Sequence, residues 1–152
     1  MRAEWSGGFD SLYPLSSRMN PPPDVKFHAA YRLLTWHPQG VLDSDMLNAI
    51  IAFIEYKEQD MEEPFNRFTD LSHVTAIDLD FEFVVRASMH RRKAYAGNKP
   101  VKSAIYSTTS NSTHLSKVHS ILNKYTPLEV AVFSDLASSA EWLGVQQEIL
   151  LT

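Results

Sequence analysis

Cysteine is absent from the 152 residues, which excludes a disulfide framework, a thiolate zinc site, an iron–sulfur cluster and a cysteine nucleophile. A reducing, cytoplasmic setting is the expected one. Glycine is scarce, five in all, and none stands in a GxGxxG, GxxxxGK(S/T) or GxSxG pattern, so dinucleotide, nucleoside triphosphate and esterase readings have no support. Basic charge is not in excess either. Lys and Arg number 14 against 18 Asp and Glu, a net charge of -4, so no nucleic-acid partner is expected, because phosphate neutralisation needs a surplus of Lys and Arg on some face. Long apolar runs are also missing. The longest, Ala49 to Ile54, falls far short of the roughly 18 to 20 residues that cross a bilayer, and no basic start leads into an apolar run of signal-peptide type. Neither membrane insertion nor export is expected.

What is present is core material: 44% of the residues are apolar and 11% aromatic, enough for one domain of this length to bury a sizeable interior. Residues 1–24 differ from the rest. Gly7, Gly8, Pro14 and the run Pro21, Pro22, Pro23 break any period, so this stretch reads as an N-terminal arm or flexible tail before a single domain over 25–152. Its Trp5, Phe9, Leu12, Tyr13 and Leu15 are costly to leave in water and suit docking on the domain or on a second copy.

From Phe27 to Trp36 the chain is aromatic and apolar without helix caps, which predicts one strand or two, ended by Pro38 and Gly40. Asp43 or Ser44 then caps a helix in which Leu47, Ile50, Ile51 and Ile54 share a face, fading by Asp60 before Pro64. Phe65 to Leu71 reads as a short strand. A helix capped by Asp78 follows, with Phe81, Val84, Val85 and Ser88 on one face and Arg91, Arg92 and Lys93 complementing its C-terminal dipole before Gly97. Val101 to Ser107 is a strand; Leu115, Val118, Leu122 and Tyr125 mark the next helix, closed by Pro127. Leu128 to Phe133 is a buried strand, and Asp135 caps a last helix bearing Leu136, Ala140 and Leu143, ended by Gly144. The order predicts an α/β fold, a largely parallel or mixed sheet of four to five strands with crossover helices.

The lead into the first helix (Gly40-Val41-Leu42-Asp43), the strand end Phe68-Thr69-Asp70-Leu71-Ser72, and Val132-Phe133-Ser134-Asp135 followed by Ala140-Glu141-Trp142-Leu143 resemble the STAS-like, anti-sigma-factor-antagonist type of domain. Its bacterial lipid-transfer-like relatives are the nearest in pattern, and the resemblance covers about residues 27 to 145. It implies that fold and a habit of binding a protein partner or a small ligand, without implying an enzyme. Antagonists of this type carry a phosphorylatable Ser in an Asp-Ser-Ser-Gly-like turn. Here that region reads Val74-Thr75-Ala76-Ile77-Asp78, with Ser72 upstream and Thr75 as the nearby hydroxyl, so the usual phosphorylation switch is in doubt.

No convergent catalytic set stands out. His28, His37, His73, His90, His114 and His119 contain no i, i+4 pair, so no metal site and no cofactor are expected. Asp43 with Asp45 and Asp78 with Asp80 suit acid/base work or a divalent cation, yet both pairs stand where helices begin, and capping explains them. The run His90, Arg91, Arg92, Lys93 suits an acidic partner or plain dipole compensation on a solvated face. Ser107, Thr108, Thr109, Ser110, Ser112 and Thr113 lie between a strand and a helix, where ligands tend to bind. Their hydroxyls suit a weakly held phosphate, sulfate or carboxylate, with Lys102 or Lys117 reaching over, or capping by Ser110 or Ser112 alone. Two functions remain open. One is a non-catalytic regulatory module binding a protein partner and associating as a homo-oligomer. The other is a carrier of a small apolar ligand or lipid, in a pocket between sheet and helices lined by Trp36, Phe81, Val85 and Tyr106.

Overall fold

The computed structural model describes residues 19–152; the aromatic arm residues Trp5 to Leu15 lie outside them. Strands β1 (Val25–His28) and β2 (Leu33–Trp36) form an antiparallel hairpin, so the stretch from Phe27 to Trp36 does hold two strands. Arg32, with a left-handed φ of 49°, makes the tight reversal between them. Strands β4 (Asn66–Asp70), β6 (Val101–Tyr106) and β7 (Leu128–Phe133) continue the sheet in parallel, giving the order β1-β2-β4-β6-β7. The expected sheet of four to five strands, largely parallel or mixed, is therefore present with five strands, one pair of them antiparallel. Among the described residues five α-helices accompany it: α1 (Ser44–Met61), α2 (Phe81–Tyr95), α3 (Ser110–Leu122), α4 (Leu136–Leu143) and the short α5 (Gln147–Leu150).

Two elements go beyond the sequence expectation. Gly40–Asp43 is not merely the lead into the first helix but a strand of its own, β3, and it pairs in parallel with β5 (Val74–Asp78) in a separate two-stranded sheet. The region expected to hold a phosphorylation turn is thus extended chain, and Thr75 lies exposed in the middle of β5. Since Asp78 ends that strand, it does not cap the following helix. Asp80 does, its Oδ1 accepting the N–H of Phe83 at 2.6 Å. We expect Asp80→Ala to cost about 1 kcal/mol in urea denaturation and Asp78→Ala to stay within about 0.5 kcal/mol; equal costs would return the cap to Asp78.

Alternation along the strands divides the core in two. Leu34, Trp36 and Ile105 point to one face, where they meet Ile50, Phe53 and Ile54 of α1 and Leu42 of β3. Leu33, Phe68 and Ala104 point to the other, against Ala140 and Leu143 of α4 and Leu150 of α5. Helices α2 and α3 pack on each other and on β7, and their inward stripes match the expected ones only in part, Val84 and Ser88 being the shared positions on α2. On α2 the buried positions are Val84, Ser88, Arg91 and Tyr95, while Phe81 is 57% exposed. On α3 they are Ser112 and Ser116, continued past the helix end by Asn123; Tyr125 is 93% exposed. Two helices thus turn largely polar residues inward. Among the described residues no helix is long and apolar enough to cross a membrane.

Candidate functional site

Those polar stripes open on a cavity of about 150 Å³ between the sheet and helices α1 to α3. Its wall is apolar where α1 and the small sheet contribute, through Leu42, Leu47, Ile50, Ile51 and Ile77. Strands β4 and β6 and helices α2 and α3 add to this wall the apolar Val84, Ala87, Ile105 and Leu115 together with a few polar side chains. Arg67 and Thr69 reach it because they alternate with Phe68 along β4, and Ser103 reaches it opposite to Ala104 on β6. Ser88 and Arg91 come from α2, Ser116 and His119 from α3.

The charges on this wall are layered. Arg67, 5% exposed, donates from Nη2 to Glu58 Oε2 at 2.8 Å, to the Phe65 carbonyl at 3.0 Å and to the Tyr95 hydroxyl at 2.6 Å; the Tyr95 hydroxyl in turn hydrogen-bonds Glu58. Arg91, 4% exposed, donates to Glu55 Oε2 at 3.1 Å, and its guanidinium lies 4.8 Å over the Tyr95 ring. Glu55 and Glu58 line a different, outer cleft of about 460 Å³ with Glu62 and Glu63. Arg91 and Tyr95 line that cleft too, so Arg91 stands between the two hollows while Arg67 lines the inner one alone. Two of their nitrogens, Arg67 Nε and Arg91 Nη2, are buried with no hydrogen-bond partner.

His119 belongs to the same layer. Its Nδ1 lies 2.7 Å from Ser88 Oγ and 3.3 Å from Asn123 Nδ2. Burial, with Arg91 and Arg67 adding to it, pushes the imidazole pKa down to about 4, so the ring is neutral at neutral pH.

Of the residues expected to line a pocket, Trp36 does, and Phe81, Val85 and Tyr106 do not. Phe81 stands out in water on the first turn of α2, and Tyr106 packs in the opposite core with Phe133 and Trp142. Their neighbours Val84 and Ile105 take the expected places, one residue off in each element.

The hydroxyl loop closes on itself. Thr109, not Ser110 or Ser112, is the cap of α3, accepting the Ser112 N–H at 3.2 Å. Ser107 Oγ hydrogen-bonds Ser112 and lies 2.8 Å from Thr113 Oγ1, and Thr109 Oγ1 lies 2.7 Å from Ser112 Oγ. Thr108 and Ser110 are exposed. Lys102 does not reach over; its Nζ donates to the Trp142 carbonyl at 2.9 Å.

The acidic pairs do meet, since Asp43 and Asp78 are partners in the β3–β5 register. The carboxylates of Asp43 and Asp80, however, are engaged as caps by Met46 and Phe83, and no group of three or more His, Cys, Asp or Glu suited to a metal occurs among the described residues. In the basic run, Arg91 is interior rather than on a solvated face, and Arg92 closes the end of α3 by donating to the carbonyls of Leu122 and Lys124. Another pair went unforeseen: Asp70, 2% exposed, lies 3.0 Å from His37 Nδ1 and accepts the Ser72 N–H. Burial alone would raise the Asp70 pKa, but these hydrogen bonds outweigh it and hold the carboxyl below its usual value.

No family model matches the chain, and no curated protein matches it. One solved structure similar to it is an uncharacterized protein of the DUF3478 family with a SpoIIAA-like fold from Shewanella loihica PV-4. The two share 17% identity with a TM-score of 0.48, over 73% of this chain and 83% of that one.

Proposed function

We propose that the chain is a non-catalytic, STAS-like module that binds a small, partly apolar molecule between its sheet and helices α1 to α3. The observation that carries this reading is the cavity of about 150 Å³, apolar over most of its wall with a few polar side chains of β4, β6, α2 and α3 set into it. Pockets of this mixed character, with a few convergent polar groups in an apolar wall, are where small ligands bind. Size favours a compact guest over a lipid, since an apolar cavity of about 150 Å³ is filled by benzene. The partner-binding alternative has less support. Among the described residues the exposed large apolar side chains, Tyr31, Val41, Phe81, Met89, Ile121, Tyr125 and Leu151, come from several different elements, and single apolar residues in water are ordinary.

Ligand uptake tests the reading. Native mass spectrometry of freshly purified chain is expected to show a small adduct, and benzene at about 100 times its dissociation constant should add about 2.7 kcal/mol of stability. An unliganded spectrum together with an unchanged melting temperature under saturating benzene would mean a closed, self-sufficient interior and would end the proposal.

A further inference from the structure

Several polar groups of the cavity wall are already engaged: Arg67 with Glu58, Arg91 with Glu55, and Ser112 with Ser107 and Thr109. The imidazole of His119, in the same wall, is engaged at one nitrogen and not at the other. Asn123 Nδ2 lies 3.3 Å from His119 Nδ1 and donates to the carbonyls of His119 at 3.1 Å and Ser88 at 3.5 Å. Turning that amide over would set its oxygen against both carbonyls, so the nitrogen stays where it is. An amide NH₂ only donates, which makes Nδ1 the accepting nitrogen and puts the proton of the neutral ring on Nε2. This N–H has no acceptor among the described residues. Unlike Nε2 of His37, which is sealed in the fold without a partner, it keeps open space beside it, on the side of the ring away from Ser88 and Asn123.

We propose that the guest of this cavity is an uncharged molecule of a single ring bearing one acceptor oxygen, such as a carbonyl, which the Nε2–H of His119 receives while the hydrocarbon part lies among Leu47, Ile50, Ile51 and Ile77. This rests on the ligand-binding reading above and adds the polar group and its partner. The wall is apolar over most of its extent, and the charges of Arg67 and Arg91 already face those of Glu58 and Glu55. A charged guest would therefore give up its hydration with no free counter-charge to replace it. A neutral imidazole N–H asks for an acceptor without adding a charge, and in water-poor surroundings the bond it makes is stronger than in water. The buried hydroxyls of Ser103 and Ser116 stand in the same wall and can turn toward the same oxygen.

The test compares two guests of nearly the same shape, cyclohexanone and methylenecyclohexane, in NMR titrations of the full chain. Against an apolar wall alone the ketone would bind about tenfold more weakly or worse, because its carbonyl would leave water unpaired. With the His119 N–H as partner it is expected to bind at least as tightly as the hydrocarbon. The nitrogen shift of His119 Nε2, read through the ring C–H protons, should move under saturating ketone and stay in place under the hydrocarbon. His119→Leu should lower the ratio of ketone affinity to hydrocarbon affinity by about tenfold, since the carbonyl then has no N–H to meet. Should that variant fail to fold, the Nε2 shift of the unmodified chain decides. Tighter binding of the hydrocarbon, an unmoved Nε2 under saturating ketone, or an unchanged ratio in the variant overturns the acceptor assignment and leaves the cavity reading standing. Binding of neither compound overturns both.

Discussion

Glu58→Ala should lower the stability of the fold by about 3 kcal/mol, the low end of the cost of stripping a buried charge of its partner. Arg67 is 5% exposed and cannot turn to water, and Glu58 supplies the negative charge beside it at 2.8 Å. The Tyr95 hydroxyl joins the same group, so removing the carboxylate takes the counter-charge from the guanidinium, which keeps the Phe65 carbonyl and the Tyr95 hydroxyl as acceptors, and the acceptor from the phenol. Glu58 keeps 17% of its side chain exposed along the outer cleft, and water entering there offsets part of the loss, hence the low end. The comparison is Glu63→Ala. Arg32 and Glu63 are as close, 2.7 Å, but about half of each side chain is in water, and such pairs contribute about 0 to 1 kcal/mol. Urea midpoints of the two variants should therefore differ severalfold in their displacement. Equal, small displacements would mean that the Phe65 carbonyl and the Tyr95 hydroxyl suffice for Arg67 without the Glu58 charge.

The apolar helix α1 was legible from the sequence because Ile50 and Ile54 repeat at helical spacing and Asp43 precedes them; the structure keeps both the face and the cap. In helices α2 and α3 the same reasoning held only in part: Val84 and Ser88 of the expected α2 face are buried and Leu115 of the expected α3 stripe reaches the cavity. Hydrophobic periodicity assumes that the buried face is the apolar one, yet Ser88, Arg91, Ser112 and Ser116 are buried while Phe81 and Tyr125 are not. The signal existed in another form, since Ser112, Ser116, His119 and Asn123 recur at spacings of four, three and four, as do Ser88, Arg91 and Tyr95 at three and four. A polar stripe at helical spacing reads equally well as the solvated side, and only the neighbour across it tells the two apart. Strands β3 and β5 were missed for a related reason. Each is four or five residues long, and each is a strand only by virtue of a parallel partner more than thirty residues away, Gly40 opposite Val74. The site shares that dependence on distance. Arg67, Glu58 and Tyr95 come from a strand and two helices, so no local window of sequence contains the group.

Acid should weaken the fold well before its carboxylates protonate, through His119. An imidazole whose pKa is about 4 when folded and about 6.5 when unfolded binds its proton more readily in the unfolded chain. Its effect is absent above pH 6.5, where neither state holds the proton, and grows as pH falls toward 4, where both do. Integrated over that window the loss is about 2 kcal/mol at pH 5 and about 3 kcal/mol at pH 4. His28, its pKa also lowered by burial, adds in the same direction. Asp70 acts oppositely in range: with its pKa below the usual carboxylate value, it gives stability that is lost only on further acidification. The interval from pH 6.5 to 5 is thus where His119 can be seen alone among the buried groups of α2 and α3. Replacing it by Gln removes the proton site while keeping a polar group beside Ser88 and Asn123. We expect urea midpoints of the unmodified chain to fall steeply across that interval and those of His119→Gln, whatever their level at pH 7, to fall much less. Parallel curves would place the titrating group elsewhere and leave the imidazole open to water, which the neighbouring guanidiniums of Arg67 and Arg91 would then not govern.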